Sequence, residues 1–420
     1  MEEKEEEERT LTCRCCIVGG GPAGMMLGLL LARAGAGTLV LEKHADFFRD
    51  FRGDTIHPST LEAMHELGLL DAFLKLPHQE IRLLKARVGD YELPVADFTH
   101  LPVKAKFLAI MPQWDFLNFL AEEAKRYPSF RLEMSAEAED LIFEDGRIAG
   151  VRAQTPQGPL TVRADLVIGA DGRRSTVRDA AGLVPDEIGA PMDVLWFRLS
   201  RKSADPDETF GRIEAGQILA LINRSDYWQC GYVIPKGSAA RIKAKGIGDL
   251  RQRISELAPF LADRMEELQS FDHVNLLTVA VNRLPAWHRP GLLCIGDAAH
   301  AMSPVGGVGI NLAIQDAIAA ANVLAEPLSK PGEISEALLA EVQKRREWVV
   351  KIIQRIQVAI QTRMISRVLG GTRKPVPPWF VRLFIYVPLL RRIPAGLIGL
   401  GVHRERITAP EAARPAEGGG

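Results

Sequence analysis

The sequence predicts an α/β protein in which a Rossmann-like nucleotide-binding domain is interrupted by an antiparallel sheet and followed by C-terminal helices. Three observations support this fold class. The chain has 420 residues, 47% of them hydrophobic, and single cores stop growing at about 250 to 300 residues. Near the N-terminus a strand, a glycine-rich turn and an apolar helix follow one another. Two later strands each run into a turn that contains adjacent Gly and Asp residues.

The first fingerprint is the glycine-rich turn that follows the apolar residues 13–18. Gly19 permits a tight turn, Gly21 lets a pyrophosphate approach the backbone, and Gly24 lets the helix pack closely on the strand. The N-terminus of that helix is a ready anion site. A second strand ends at Glu42, about twenty residues beyond the glycines, where a carboxylate accepts hydrogen bonds from ribose hydroxyls.

Two later stretches have the same strand-to-turn character. The strand at 166–168 leads to Asp171 in GADGRRSTVR, and the strand at 292–295 leads to Asp297 in CIGDAAHAMSPVGGVGIN. The glycines of the last stretch open a long apolar helix from about Ile310. An aspartate at the end of a strand can hold a ribityl hydroxyl, and a helix N-terminus directs free amides at an electron-rich ring.

These three stretches resemble, in this order, the single-component FAD monooxygenases of the para-hydroxybenzoate hydroxylase type, over roughly residues 13–324. The resemblance implies a Rossmann-like (GR2-type) FAD-binding domain. In it Asp171 contacts FAD and assists NAD(P)H engagement, Asp297 holds the ribityl chain, and the amides of Ile310 and Asn311 face the pyrimidine edge of the flavin. It also implies that NAD(P)H reduces FAD, that O2 then forms a C4a-hydroperoxide, and that the distal oxygen hydroxylates an aromatic or polycyclic small molecule.

Two further positions match the same family. Arg52 corresponds to its arginine near the FAD pyrophosphate, and Gln113 to its glutamine that contacts FAD. The helix after Arg52 is expected to begin with a capping box of Ser59 and Glu62 and to end at Gly68. No metal site is predicted, because the N-terminal cysteines are expected to pack in the core. The cofactor-binding residues predicted are Gly19, Gly21, Ala23, Gly24, Glu42, Arg52, Gln113, Asp171, Asp297, Gly309, Ile310 and Asn311.

The FAD-binding domain is expected to be discontinuous, with an inserted antiparallel sheet that the resemblance implies is one wall of the substrate cavity. The predicted divisions are residues 11–75, 101–185 and 275–345 for the FAD-binding domain, 76–100 and 186–274 for the substrate domain, 346–420 for a C-terminal helical region and 1–10 for a disordered acidic tail.

The substrate side of the site has fewer signals. Three residues are candidates for catalysis: His57, Trp228 and Tyr232. The unperturbed pKa of a histidine lies near neutral pH, so His57 could accept a proton, while Trp228 and Tyr232 share one face of a strand. A turn histidine and ordinary core aromatics are the alternatives. The other cavity candidates are Trp196, Met302 and Pro304.

Two other enzyme classes remain as alternatives. The segment WQCGYVIP retains Trp228 and the Ile-Pro pair of flavin-dependent halogenases but lacks their second tryptophan. The basic, apolar C-terminus favours an FAD reductase of isoprenoid chains. Outside catalysis, a flavin-binding regulatory or interaction protein is the least favoured alternative.

The net charge of −1 conceals a separation of charge along the chain. Residues 1–9 hold six Glu against one Lys and one Arg, a net of −4, whereas residues 341–406 hold fourteen Lys or Arg against three Glu, a net of +11. The overall balance does not point to nucleic acid. Five cysteines, too few and too unevenly placed for a disulfide framework, and a start without signal-peptide character predict a cytoplasmic protein. The basic end is expected to pack on the FAD-binding domain or, alternatively, to contact an acidic membrane.

Overall fold

The computed structural model of the protein describes residues 9–48 and 55–412. Its strands are β1 (Arg9–Val18), β2 (Thr38–Glu42), β3 (Thr55–Ile56), β4 (Gln79–Ile81), β5 (Leu83–Val88), β6 (Tyr91–Asp97), β7 (Leu108–Ile110), β8 (Phe130–Met134), β9 (Glu137–Glu144), β10 (Arg147–Thr155), β11 (Gly158–Gly169), β12 (Asp186–Glu187), β13 (Met192–Ser200), β14 (Phe210–Glu214), β15 (Gln217–Asn223), β16 (Tyr227–Pro235), β17 (Asn275–Leu277), β18 (Asn282–Arg283), β19 (His288–Arg289), β20 (Leu292–Cys294) and β21 (His300–Ala301). Its α-helices are α1 (Pro22–Arg33), α2 (Pro58–Glu66), α3 (Leu70–Phe73), α4 (Gln113–Lys125), α5 (Thr176–Ala180), α6 (Ala239–Ala244), α7 (Ile247–Leu257), α8 (Gly309–Leu328), α9 (Glu336–Ile360), α10 (Ser366–Leu369), α11 (Trp379–Tyr386) and α12 (Arg392–Gly399).

Within the described residues, the largest sheet has eight strands around a parallel core in the order β20-β11-β1-β2-β8. The strand β19 pairs antiparallel at one edge, and β10 and β9 extend from β11. The apolar helices α1 and α8 pack together against this core. Because parallel strands point the same way, the carboxyl ends of β1, β2, β11 and β20 lie at one edge of the sheet.

The second sheet is mainly antiparallel and, in the described chain, has seven strands in the order β17-β13-β16-β15-β14-β5-β6. Only the β14–β5 pair is parallel within this part. One face of the sheet packs on α7 through an apolar core that includes Phe197, Leu219 and Trp228. The α/β fold class predicted from the sequence is confirmed, including the inserted antiparallel sheet and the helical C-terminus.

The C-terminal segment, residues 366–400, contacts the second sheet and the start of α2. The amide of Gly216, in the β14–β15 turn, donates to the carbonyl of Val368 at 3.0 Å. At the other end, His57 Nδ1 donates to the carbonyl of Ile398 at 2.6 Å. The segment therefore joins the second sheet to the nucleotide-binding part of the molecule.

The sequence made a prediction for each end of α2. The capping box of Ser59 and Glu62 is wrong, because α2 begins at Pro58 with His57 as its N-cap. The Glu62 carboxylate accepts instead from the amide of Lys104 at 2.9 Å. Gly68 follows the C-cap of α2 and adopts the left-handed conformation, with φ 72°.

The domain boundaries predicted from the sequence stay a prediction. Residues 1–8 of the predicted acidic tail lie outside the described residues, and β1 already begins at Arg9. Of the described helices, Val305–Leu328 has the length and hydropathy to cross a membrane, but 72% of its most apolar window is buried inside the protein. Such burial is that of a core helix.

Candidate active site

The glycine turn after β1 is packed tightly on one side and open on the other. A Cβ added at Gly19, whose φ is 107°, would lie 2.5 Å from the carbonyl oxygen of Ala170. A Cβ at Gly24 would lie 1.9 Å from the carbonyl oxygen of Gly19, so neither position admits a side chain. A Cβ at Gly21 would meet nothing within 4 Å. The turn thus presents free backbone at Gly21, as binding of a pyrophosphate requires.

Glu42 holds this turn from the end of β2. Its Oε2 accepts from the amide of Gly20 at 3.0 Å, and its Oε1 accepts from the amide of His44 at 3.1 Å. The side chain belongs to a residue that is 8% exposed. A carboxylate has about four acceptor sites, so Glu42 can organise the turn and still accept from a ribose hydroxyl.

Asp297 lies at the same edge, just after β20. Its Oδ2 forms an ion pair with Arg173 Nε at 3.0 Å, and both side chains are about one-third exposed. The guanidinium of Arg173 also donates to the carbonyl of Met302 at 3.3 Å. Arg173 therefore joins the second motif to the third, a contact the sequence reasoning missed although GADGRRSTVR contains this arginine.

The third motif packs directly on the first. Gly296, with φ 58°, sits where a Cβ would lie 3.1 Å from the Cβ of Ala313 and 3.3 Å from the Cβ of Ala23. Next to it α8 begins at Gly309, and the first amides of a helix have no acceptor within the helix. These amides and the positive end of α8 point away from the helix, toward the edge where Gly21 and Asp297 lie.

The side chain of Asn311 has a structural task. Its Oδ1 accepts from the amide of His57 at 2.9 Å and from Thr60 Oγ1 at 2.8 Å. Its Nδ2 donates to the carbonyl of Thr55 at 3.1 Å. Asn311 thereby fixes the start of α8 to the start of α2.

Comparison with known proteins agrees with this geometry. Residues 12–356 match the family described as FAD binding domain. The chain belongs to this family. A 6-methylpretetramide 4-monooxygenase of Streptomyces rimosus is 35% identical over 385 residues, which cover 91% of this chain and 92% of the relative.

More distant relatives share the same architecture. A digeranylgeranylglycerophospholipid reductase of Methanothermobacter thermautotrophicus is 28% identical over 84% of this chain and 88% of its own length. The solved structure of the anhydrotetracycline hydroxylase OxyS of Streptomyces rimosus superposes with a TM-score of 0.73 at 23% identity, covering 94% of this chain and 77% of that one. The protein is an FAD-dependent monooxygenase of the para-hydroxybenzoate hydroxylase type, as its motifs predicted.

The residues at the strand edge fit FAD. The open backbone at Gly21 suits the pyrophosphate, the carboxylate of Glu42 suits the ribose, and Asp297 is exposed enough to reach a ribityl hydroxyl. The amides at Gly309 and Ile310 suit an electron-rich ring. Each feature is a donor or acceptor of the type that the corresponding part of FAD needs.

Asp171 lies in the turn between β11 and α5, beside Gly19. Its carboxylate accepts from the hydroxyl of Ser175 at 2.5 Å and from the amide of Val177 at 3.2 Å, at the start of α5. Burial raises the pKa of Asp171, although these hydrogen bonds act in the opposite direction. The side chain thus stabilises its own turn, and the backbone of this turn supports Gly19. The expected side-chain contact with FAD stays a prediction.

His57 is buried, with 1% exposure, between α8 and the C-terminal segment. Burial lowers its pKa to about 4, so the ring is neutral at pH 7. Its Nδ1 donates to Ile398, which leaves Nε2 as the acceptor. So weak a base, held by backbone contacts on two sides, is a structural element, and the predicted role of proton acceptor is corrected accordingly.

Trp228 and Tyr232 do share one strand face, but it is the face that packs on α7. Trp228 is 0% exposed and its Nε1 donates to Asp205 Oδ2 at 2.9 Å. Tyr232 is 5% exposed and its hydroxyl bonds to Gln217 Oε1 at 3.3 Å. Their assignment to the substrate cavity and to catalysis is therefore wrong. The alternation of residues along a strand shows which side chains share a face, but not which face is packed in the core.

Of the two remaining cofactor-binding candidates, only Gln113 lies within the described residues. Arg52 lies outside the described residues. Gln113 is the first residue of α4 and is half-buried, next to Trp114, whose ring lies 4.8 Å from that of Phe48. Its contact with FAD stays a prediction.

A buried ion cluster beneath the third motif was not anticipated. Asp316 accepts from Arg346 Nε at 2.9 Å, from His300 Nε2 at 2.6 Å and from the amide of Gly296 at 3.2 Å. Burial raises the pKa of Asp316, but His300 and Arg346 outweigh it and the net direction is downward. The cluster anchors the loop of Asp297 to α8 and α9. The signal in the sequence was an aspartate inside the apolar stretch of α8.

Proposed function

We propose that this enzyme uses NAD(P)H and O2 to hydroxylate an aromatic, multi-ring small molecule in the cytoplasm, with FAD as its resident cofactor. The observation that carries the proposal is the convergence of Gly21, Glu42, Asp297 and the start of α8 at one edge of the parallel sheet. The 35% identical 6-methylpretetramide 4-monooxygenase supports the substrate class.

The residues of this chain bind and orient FAD, which supplies the redox and oxygen chemistry when bound. Gly19 to Gly24 and Glu42 hold the adenosine and pyrophosphate end, and Asp297 holds the ribityl chain. Arg173 orients Asp297 through the 3.0 Å ion pair. The positive end of α8 stabilises negative charge on the ring beside it.

Turnover of the purified, FAD-loaded chain tests the proposal. With an aromatic substrate, NAD(P)H and O2 should be consumed one to one and the product should gain the mass of one oxygen atom. A halogenase would need halide and a separate reductase, and an isoprenoid-chain reductase would work without O2. A yellow protein whose NAD(P)H oxidation no aromatic compound accelerates would overturn the assignment.

A second proposal concerns the basic C-terminal segment, which we propose touches an acidic membrane surface. Four of the large apolar side chains described there are each between 62% and 75% exposed: Trp379, Tyr386, Leu389 and Ile393. Arginines lie within the same segment. Apolar groups beside cations suit the headgroup region of an anionic bilayer. Sedimentation with vesicles of anionic lipid tests this. Equal pelleting of wild type and a variant with serine at the four positions would end the membrane proposal.

A further inference from the structure

A small cavity lies between α8, α9 and the C-terminal segment. The residues that line it include Gln315 of α8, Arg346 of α9, and Leu397 and Ile398 of α12. Its volume is about 20 Å³, and about 10–15 Å³ is enough to hold one water molecule. The cavity therefore has room for one particle of roughly that size, and a phosphate or a carboxylic acid is too large for it.

Arg346 brings a buried positive charge to this cavity. Its side chain is 0% exposed, and its Nε donates to Asp316 Oδ1 at 2.9 Å. The other two guanidinium nitrogens, Nη1 and Nη2, are buried and have no hydrogen-bond partner among the described residues. Buried charges in proteins are paired and their donors hydrogen-bonded. The guanidinium therefore calls for an acceptor in addition to Asp316.

The charge of Asp316 is not reserved for Arg346. The same carboxylate also accepts from His300 Nε2 at 2.6 Å and from the amide of Gly296 at 3.2 Å. Among the described residues that line the cavity, none carries a carboxylate. Because charges interact strongly in a low-dielectric interior, the side of Arg346 that faces the cavity favours a negative occupant.

Gln315 adds a second donor, and its amide orientation is fixed. Its Oε1 accepts from the amide of Glu405 at 2.6 Å. Its Nε2 is buried without a partner in the described parts of the chain. His57 also lines the cavity, but its Nε2 lies near Gly307, 3.6 Å from where a Cβ on that glycine would be. The groups left for an occupant are mainly N–H donors. A water molecule accepts only as many hydrogen bonds as it has lone pairs, whereas a spherical anion accepts from every direction.

We propose that this cavity binds a single halide ion, with chloride as the abundant candidate. Arg346 Nη1 and Nη2 and Gln315 Nε2 donate hydrogen bonds to it. The ion is a structural ligand, because it fills the space between α8, α9 and Ile398 and so stabilises the packing of the C-terminal segment. This inference is independent of the proposed function and concerns a site separate from the glycine turn that suits FAD.

Thermal unfolding of the FAD-loaded chain tests the proposal in sodium chloride or bromide against sodium gluconate at equal ionic strength. Gluconate is too large for the cavity, so the Tm of the wild type should be about 2–5 °C higher in either halide. Crystals grown in bromide should show an anomalous-scattering peak within hydrogen-bond distance of Arg346 and Gln315.

Gln315→Glu tests the location of the site. The variant keeps an oxygen to accept from the amide of Glu405 and replaces the free donor by a carboxylate oxygen beside Arg346. Because the side chain then supplies the negative charge itself, the halide-dependent rise in Tm should disappear. In gluconate the Tm should be at least that of the wild type.

Gln343→Glu is the matched control, because Gln343 Oε1 likewise accepts from a backbone amide, that of Trp287 at 2.9 Å, but the residue does not line the cavity. It should keep the full halide-dependent rise. Equal wild-type Tm values in halide and gluconate, or a water molecule in place of bromide in the cavity, would overturn the inference. A rise that Gln315→Glu retains would overturn the location. If Gln315→Glu does not fold, the bromide crystal of the wild type decides.

Discussion

Glu42 shows how one carboxylate can prepare a whole binding turn. Its two oxygens each accept from a backbone amide, Oε2 from Gly20 and Oε1 from His44, so a charged acceptor helps to hold the turn. Hydrogen bonds to a charged group contribute about 1.5–3 kcal/mol each. The residue thus orders the turn at Gly20, and its contact with FAD is a proposal that a binding measurement can test.

Replacing Glu42 by alanine should therefore weaken FAD binding about 10- to 100-fold, because both the acceptor and the shape of the turn are lost. Fluorescence titration of the apoprotein with FAD measures the change. Glu133→Ala on the adjacent strand β8 is the control, since its carboxylate bonds only to Arg9 among the partners described, at 2.9 Å, and faces solvent. A variant at Glu42 that retains wild-type affinity would refute the role.

At the same scale, the residues that could be predicted from the sequence are those whose positions admit one residue type. Gly19 and Gly24 must be glycine because backbone lies within 2.5 Å of their Cβ positions, and such sites show in sequence as fixed spacings. Trp228 was misplaced because its period of two is the same for either face. Arg173 was missed because an arginine close to an aspartate in sequence is also typical of a solvent-exposed turn.

At the scale of elements, α12 is the closest link between the C-terminal segment and the nucleotide-binding part. A Cβ at Gly399 would lie 2.8 Å from Leu101 Cδ1 and 3.2 Å from Pro58 Cγ. Next to it, the carbonyl of Ile398 receives the hydrogen bond of His57. The helix can lie this close only because its last residue has no side chain. No sequence pattern announced the contact, since it joins residues more than 300 positions apart.

Gly399→Val should therefore force α12 away from α2 and cost about 1–3 kcal/mol of unfolding free energy. Trypsin should then cut faster at Arg391 and Arg392, which measures the detachment directly. Gly396→Val is the control in the same helix, because a Cβ there would meet nothing within 4 Å. If both variants resist trypsin as wild type does, α12 is not held by this contact.

At the scale of the whole molecule, the charges of the basic C-terminal region have two kinds of surroundings. The basic region begins in α9, where Arg346 is 0% exposed and paired with Asp316, and continues into α11 and α12, which contact the second sheet. Part of the charge excess is thus structural and only part faces solvent. The sequence predicted that the C-terminal region is helical and basic. It could not predict which of its charges are buried and which face solvent, because burial depends on contacts between residues that are distant in sequence.

The same long-range contacts predict how FAD acts on stability. The proposed FAD ligands come from positions as distant as Gly21 and Asp297, and residues 366–400 tie the second sheet to the same core through Val368 and Ile398. A ligand at 100 times its Kd stabilises the native state by about 2.7 kcal/mol, and this stabilisation should reach every part that unfolds with the site. Calorimetry should therefore show one transition that moves upward with FAD, and hydrogen exchange in β15 and β16 should slow with it. In Gly399→Val the second sheet should separate and melt in a transition that FAD does not shift. Two transitions in wild type, with only one sensitive to FAD, would show instead that the C-terminal segment does not couple the sheets.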